Sequence, residues 1–137
     1  MTLSIGDVSA ATGLSVHTLR MYERDGLLTT VLRRDAGGRR VYTDDDVQWL
    51  ANVRIFRSSG MPLAVIARFA ELVREGEGNE EERLRLLHEH ADRIAVQQQS
   101  IEAARELIAA KIDSYEAHLA RGTASSLWLT KPAATPR

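Results

Sequence analysis

Cysteine is absent from all 137 residues. That removes disulfides, Cys-ligated zinc, iron–sulfur clusters and thiol redox sensing at one stroke. Long apolar runs are missing as well, and none approaches the roughly 18 residues that a membrane-spanning helix needs. The first residues, MTLSIGD, lack the charged-then-apolar pattern of a signal peptide, so the chain is expected in the cytoplasm. Aromatics make up only 5%. The net charge of −1 excludes a uniformly basic coat for nucleic acid. There is no Gly-rich phosphate loop, nucleophile elbow or carboxylate pair in a pocket-like context, so neither an enzyme nor a cofactor is expected.

What is abundant is Ala, Leu, Arg and Glu, the residues that favour helix. A mainly α fold is expected. Charge is distributed unevenly. Residues 1–60 carry eight Arg against seven Asp and Glu, whereas residues 80–121 carry six basic against nine acidic residues. Any nucleic-acid contact must therefore rest on a local Arg cluster near the N-terminus.

The stretch from Ser4 to Asp46 has the order helix, turn, helix, wing. Ser4 can cap a first helix, and Asp7 three residues later comes close to a capping box. Gly13 supplies a tight turn, Ser15 caps a second helix, and Gly26 stops it. Leu19 is the expected buried anchor of that second helix, leaving His17, Thr18, Arg20 and Tyr22 facing outward or along its edge. With Ser15 they form a candidate DNA face, since Arg reads guanine edges and His, Thr and Tyr donate to phosphate. Residues 29–42, TTVLRRDAGGRRVY, follow as a wing in which Arg33, Arg34, Arg39 and Arg40 bracket Gly37-Gly38. Four Arg in eight residues make a phosphate-binding patch, with Tyr42 at its end.

Thr43 caps a third helix, with Asp44–Asp46 at its positive end and Val47, Leu50, Ala51, Ile55 and Phe56 on its inward face. Gly60 ends it, and Pro62 opens a fourth helix. Residues 1–76 thus read as a winged helix-turn-helix domain with two supporting helices. Residues 79–121 read as one dimerisation helix capped by Asn79. No Gly or Pro interrupts its 42 residues from Glu80 to Arg121, a rod about 60 Å long. Leu84, Leu87, Ala91, Ile94, Ile101, Ile108, Ile112, Tyr115 and Leu119 recur at alternating three- and four-residue steps, interrupted only by Gln98 and Arg105. That is the seam of a coiled coil, and a second copy of the chain is the simplest partner. Residues 122–137 read as a disordered tail in which Leu127-Trp128-Leu129 could dock locally.

The stretches SIGDVSAATGLSVHTLRMYERDGLL, GGRRVYTDDDV and FRSSGMPLAVIARF, followed by the coiled coil, resemble the MerR family of bacterial transcription regulators. The resemblance implies that the second helix enters the major groove of double-stranded promoter DNA while the wing touches flanking backbone. Arg20 and Tyr22 match the family's T-L-R-x-Y pattern, Met21 standing where a second Tyr is common. Arg40 and Tyr42 match its wing pattern, and Arg34 matches a further wing Arg. The family also implies an antiparallel coiled-coil homodimer on an inverted repeat, acting on RNA polymerase holoenzyme at the nucleoid by bending and untwisting an over-long promoter spacer. A small-molecule effector would trigger that change. Two alternatives remain open: an effector-independent repressor or developmental regulator, and an architectural, excisionase-like DNA-bending protein.

The family's thiol sensors cannot operate here, because Ile55 stands where the aldehyde-responsive branch has its Cys. His88 and His90 point about 200° apart on a helix, so no metal site is expected. An effector would have to use Trp49, Ile55, Phe56 and Leu87, with His88 as a polar contact, between the winged-helix domain and the partner's coiled coil.

Overall fold

A computed structural model describes residues 2–129. Seven elements with defined bounds follow one another: α1 (Ile5–Thr12), α2 (Val16–Arg24), β1 (Arg33–Arg34), β2 (Arg40–Val41), α3 (Asp44–Ser58), α4 (Leu63–Glu75) and α5 (Glu80–Arg121). A 3-10 helix over Ala124–Leu129 comes after α5. The chain divides between Asp92 and Arg93 into two compact units.

Local sequence sets the helix boundaries of the first unit. Ser4 Oγ accepts from the Asp7 N–H, and the Asp7 carboxylate accepts from the Ser4 N–H, closing the capping box. Thr43 and Asp46 repeat the arrangement at α3. Each such cap stabilises by about 1 kcal/mol. Between α1 and α2 the backbone turns at Gly13, whose φ is +76°. A Cβ there would also lie 2.6 Å from Arg54 Nη1. Arg54 fills that space because it donates to the Thr12 carbonyl at 2.8 Å, satisfying the end of α1. Pro62 takes the N-cap position of α4, one residue earlier than the first-turn position expected.

The core of this unit is built from Val8, Leu19, Tyr22, Leu27, Leu28, Tyr42, Leu50, Val53, Met61 and Ile66. Burying a side chain of the Leu or Ile kind stabilises by about 1.5–3 kcal/mol. The expected inward face of α3 is only partly inward. Leu50 is buried and Phe56 half-buried, but Ile55 is 63% exposed and Val53 takes the core position instead.

The wing is a two-stranded antiparallel ladder pairing Arg33 with Val41 and Arg34 with Arg40. Its base is pinned by Leu3, which exchanges backbone hydrogen bonds with Tyr42 at 2.8 and 2.9 Å. Thr30 Oγ1 donates to the buried Asp46 carboxylate at 2.6 Å, tying the wing's entry to the start of α3.

The first three turns of α5 pack into this unit. Leu86 and His90 are buried, His90 Nε2 meets Ser59 Oγ at 2.8 Å, and Arg68 bonds Glu82 at 3.0 Å. Asn79 departs from the expected side-chain cap. Its amide donates to the Leu72 carbonyl and its side-chain oxygen accepts from Arg83 Nε, so it fastens the turn between α4 and α5. In the second unit, the tail expected to be disordered contains the 3-10 helix, with Leu127 buried. The rest of that expected tail, residues 130–137, lies outside the described residues.

Candidate nucleic-acid interface

The second helix owes its orientation to an apolar pair one turn apart. Leu19 (1% exposed) and Tyr22 (5%) turn into the core. His17, Arg20 and Arg24 consequently share the outer face, at steps of three and four. Arg24, not among the expected candidates, joins them by that spacing. Ser15 holds the N-terminal end. Its hydroxyl accepts from the Thr18 N–H at 3.0 Å and donates to Thr18 Oγ1 at 2.9 Å.

The expected outward orientation of Tyr22 is thereby corrected. Its place three residues after Leu19 puts both on one face, and the larger apolar area wins burial. Tyr42 is likewise a core residue, with no exposed surface and a hydroxyl that is buried without a hydrogen-bond partner among the described residues. Burial pushes that hydroxyl above the usual tyrosine pKa, and the Glu23 carboxylate adds to the rise. As the chain stands, the Tyr42 hydroxyl cannot reach a phosphate.

The four wing arginines differ in their surroundings. Arg33 and Arg39 project outward. Arg39 is held to Asp35 at 3.4 Å, while Asp35 Oδ1 also accepts the Gly37 and Arg39 N–H groups at 2.9 Å each. The Arg39 N–H holds the Asp35 carboxyl below its usual pKa, with Gly37 and the Arg39 charge contributing less. Arg34 and Arg40 meet one oxygen of Glu23 on α2, at 3.4 and 2.5 Å. The structure places Ser15, His17, Thr18 and Arg20 at the start of α2 and along it, and Arg34, Arg39 and Arg40 on the wing, with Arg34 and Arg40 tied to α2. It adds Glu23, for which no local sequence signal exists.

The residues expected to line an effector pocket are arranged differently from expectation. Trp49 stacks on Phe69 with ring centroids 5.8 Å apart, meets Phe56 edge-on at 6.0 Å, and donates its indole N–H to the Leu27 carbonyl at 2.7 Å. Ile55 lies on another face of α3, in a shallow depression with Ala11, Thr12, Ala51, Arg54 and Ser58. Leu87 and His88 are exposed on α5, and it is His90 that is buried. Phe69 was not expected at this place, nor was the burial of His90. Each follows a core residue at helical spacing, Phe69 three after Ile66 and His90 four after Leu86.

Along α5 the expected seam is open. Leu84, Leu87, Ile101, Ile108, Ile112, Tyr115 and Leu119 are 40–70% exposed. Among the described residues no group of three or more His, Asp or Glu side chains is placed to hold a metal ion. No described helix is long and apolar enough to cross a membrane.

The sequence pattern described as "MerR HTH family regulatory protein" matches residues 3–73, the stretch from the wing's anchoring Leu3 to the last turn of α4. The chain belongs to the MerR family. An HTH-type transcriptional regulator of Haemophilus influenzae is 33% identical over 127 residues, covering 93% of both chains. The Bacillus subtilis regulator AdhR is 32% identical over 92 residues, 67% of this chain and 65% of its own. Among solved structures, HiNmlR, a MerR family regulator lacking the sensor domain and bound to promoter DNA, superposes with a TM-score of 0.81. It is 32% identical, and the match covers 92% of this chain and 99% of that one. A MerR-family regulator from Listeria monocytogenes gives 0.82 at 30% identity, over 88% and 90% of the two chains. This MerR-family chain is a DNA-binding transcription regulator, and its relatives are regulators rather than enzymes.

Proposed function

We propose that this MerR-family protein works as a homodimer on an inverted-repeat promoter site in the cytoplasm, and controls RNA polymerase holoenzyme by bending and untwisting the DNA. The observation that carries the reading is the coexistence of two open surfaces. One is the Arg-bearing face of α2 and the wing; the other is the uncovered apolar seam of α5. Seven large apolar side chains left at 40–70% exposure along one helix call for a partner of the same periodicity. A second copy in antiparallel orientation supplies one. Two copies of the α2 and wing surface related by a two-fold axis match a two-fold symmetric site.

Within each head, Arg20 on α2 serves as base reader, supported by His17, Thr18 and Arg24. Arg33, Arg34, Arg39 and Arg40 contact backbone phosphates, while Tyr22 and Tyr42 hold helix and wing in place from below. Arg20→Ala should cost about 1–3 kcal/mol and relax the preference at one base pair. Arg39→Ala should weaken every duplex alike and flatten the salt dependence by about one contact. Both are measured on a duplex enriched by the protein from a random pool, and on a scrambled duplex. Unchanged affinity in both variants sinks the assignment. Circular-permutation gels on the enriched duplex test the distortion.

A small apolar effector beside Trp49, Phe56, Leu87 and His88, closed over by the partner's coiled coil, fits this scheme. One observation favours the second reading, promoter control without an effector. Trp49 already spends its indole N–H on the Leu27 carbonyl and its ring on Phe56 and Phe69.

A further inference from the structure

Two like charges face each other on the wing. Arg34 and Arg40 are cross-strand partners in the ladder, a placement that is unfavourable unless a counter-charge lies between them. The counter-charge comes from the recognition helix. A single oxygen of Glu23 receives Arg40 Nε at 2.5 Å and Arg34 Nη2 at 3.4 Å. The Glu23 and Arg40 side chains are only 20% and 24% exposed, so this pair is sheltered in a way that ordinary surface pairs are not. Arg34 adds a longer bond to the Gly38 carbonyl inside the wing.

The way Arg40 is held decides what it can do. Among the described residues its guanidinium bonds to protein through Nε alone. The two terminal nitrogens, which carry four of the five N–H donors, are left over. A guanidinium is planar and rigid, so fixing Nε on a carboxylate fixes the plane and direction of the terminal edge. That edge is the one that grips a phosphate with two parallel bonds.

We propose that Glu23 is a positioning residue for DNA binding. It clamps the wing to the recognition helix and presents the terminal edge of Arg40 to a backbone phosphate. The inference rests on the DNA-binding reading of α2 and the wing and goes beyond it, because an acidic residue beside a polyanion is counted on simple charge grounds as a penalty. The clamp makes helix and wing one rigid reading head, so a duplex whose groove fits α2 receives the wing contact at no further ordering cost.

Simple repulsion and positioning predict opposite signs. Losing a negative charge next to phosphates should strengthen binding to any DNA. On the positioning reading, Glu23→Gln weakens binding to the enriched duplex about tenfold and leaves the scrambled duplex unchanged or tighter. The loss acts through Arg40, so Glu23→Gln should add little to Arg40→Gln in a double-mutant cycle. Arg40→Lys keeps the charge but has no planar terminal edge that a separate nitrogen on Glu23 could orient for a two-bond phosphate grip, and it should lose nearly as much as Arg40→Gln. Circular dichroism melting of each full-length variant shows whether the fold survives. Should Glu23→Gln not fold, Arg40→Lys and Glu23→Asp carry the test alone, with Glu23→Asp expected between wild type and Arg40→Gln. Unchanged or tighter binding of Glu23→Gln to the enriched duplex overturns the proposal, as does full activity of Arg40→Lys or a Glu23→Gln loss that persists in the Arg40→Gln background. A wild-type protein that enriches no duplex at all would instead count against DNA binding itself.

Discussion

At the residue scale the two tyrosines show how burial overrides chemical expectation. A phenol near a DNA-binding helix invites a phosphate contact, yet Tyr42 has no exposed surface and its hydroxyl has no partner among the described residues. Burying a hydroxyl without a hydrogen bond is unfavourable, so Tyr42→Phe should raise stability by up to about 1 kcal/mol in urea melts while leaving DNA affinity unchanged. A drop in affinity for the enriched duplex would show that the hydroxyl swings out on binding. Carboxylates in the same unit titrate early for a local reason. Asp7 is held below its usual pKa chiefly by the Ser4 N–H, and Asp35 chiefly by the Arg39 N–H. A folded-state pKa below the unfolded one contributes order that is fully present above the unfolded value, about 3.9, and is lost as pH falls through the lower folded value. The Gly37 and Arg39 amide resonances should therefore move together in an NMR titration with a midpoint below the ordinary Asp value. Asp35→Asn should abolish the transition. A midpoint at or above the ordinary value would mean the wing turn does not depend on this carboxylate.

At the scale of elements, α5 carries two faces that serve different neighbours. Asn79, Arg83, Leu86 and His90 turn toward α3 and α4, while Leu84 and Leu87 stay in the open seam that continues to Leu119. Ile108 sits well along that seam, at 57% exposure. Ile108→Asp removes apolar burial worth about 1.5–3 kcal/mol per copy and adds a charge that would need desolvating in a paired state. Sedimentation analysis should find dimer for the wild type and monomer for the variant. Because Ile108 is open to solvent in the single chain, residues 2–92 should keep their fold, visible as unchanged near-ultraviolet signal from Trp49. A variant that sediments as a dimer would show that association runs through another surface.

At the scale of the whole molecule the remaining question is the trigger. The residues expected to line a pocket are split between a packed aromatic trio and exposed sites on α3 and α5. Trp49 is already satisfied on its N–H and stacked on Phe69. A thermal-shift screen of apolar metabolites and cationic drugs against the full chain is expected to leave the melting point unchanged, with the unliganded protein controlling transcription in vitro. A ligand that stabilises the wild type but not Trp49→Ala would support the small-molecule effector instead. Stoichiometric stabilisation by zinc or copper ions, lost in His88→Ala, would show a metal trigger.

Much of this protein was determined by sequence alone because the determinants are local. Capping boxes at Ser4 and Thr43, turns at Gly13 and Gly26, and a 3-4 step from Leu84 to Leu119 each act within a few residues, and the helices follow them. The family signature is legible for the same reason, since it lies in contiguous stretches. Tertiary structure decided what spacing leaves open. Helical periodicity says that Leu19 and Tyr22 share a face and that Ile55 and Phe56 are about 100° apart, but only packing shows which direction is inward. It buried Tyr22 and exposed Ile55. It also brought Glu23 to Arg40 across 17 residues of sequence, a meeting that depends on how the wing folds back on α2 and leaves no trace in either segment read by itself.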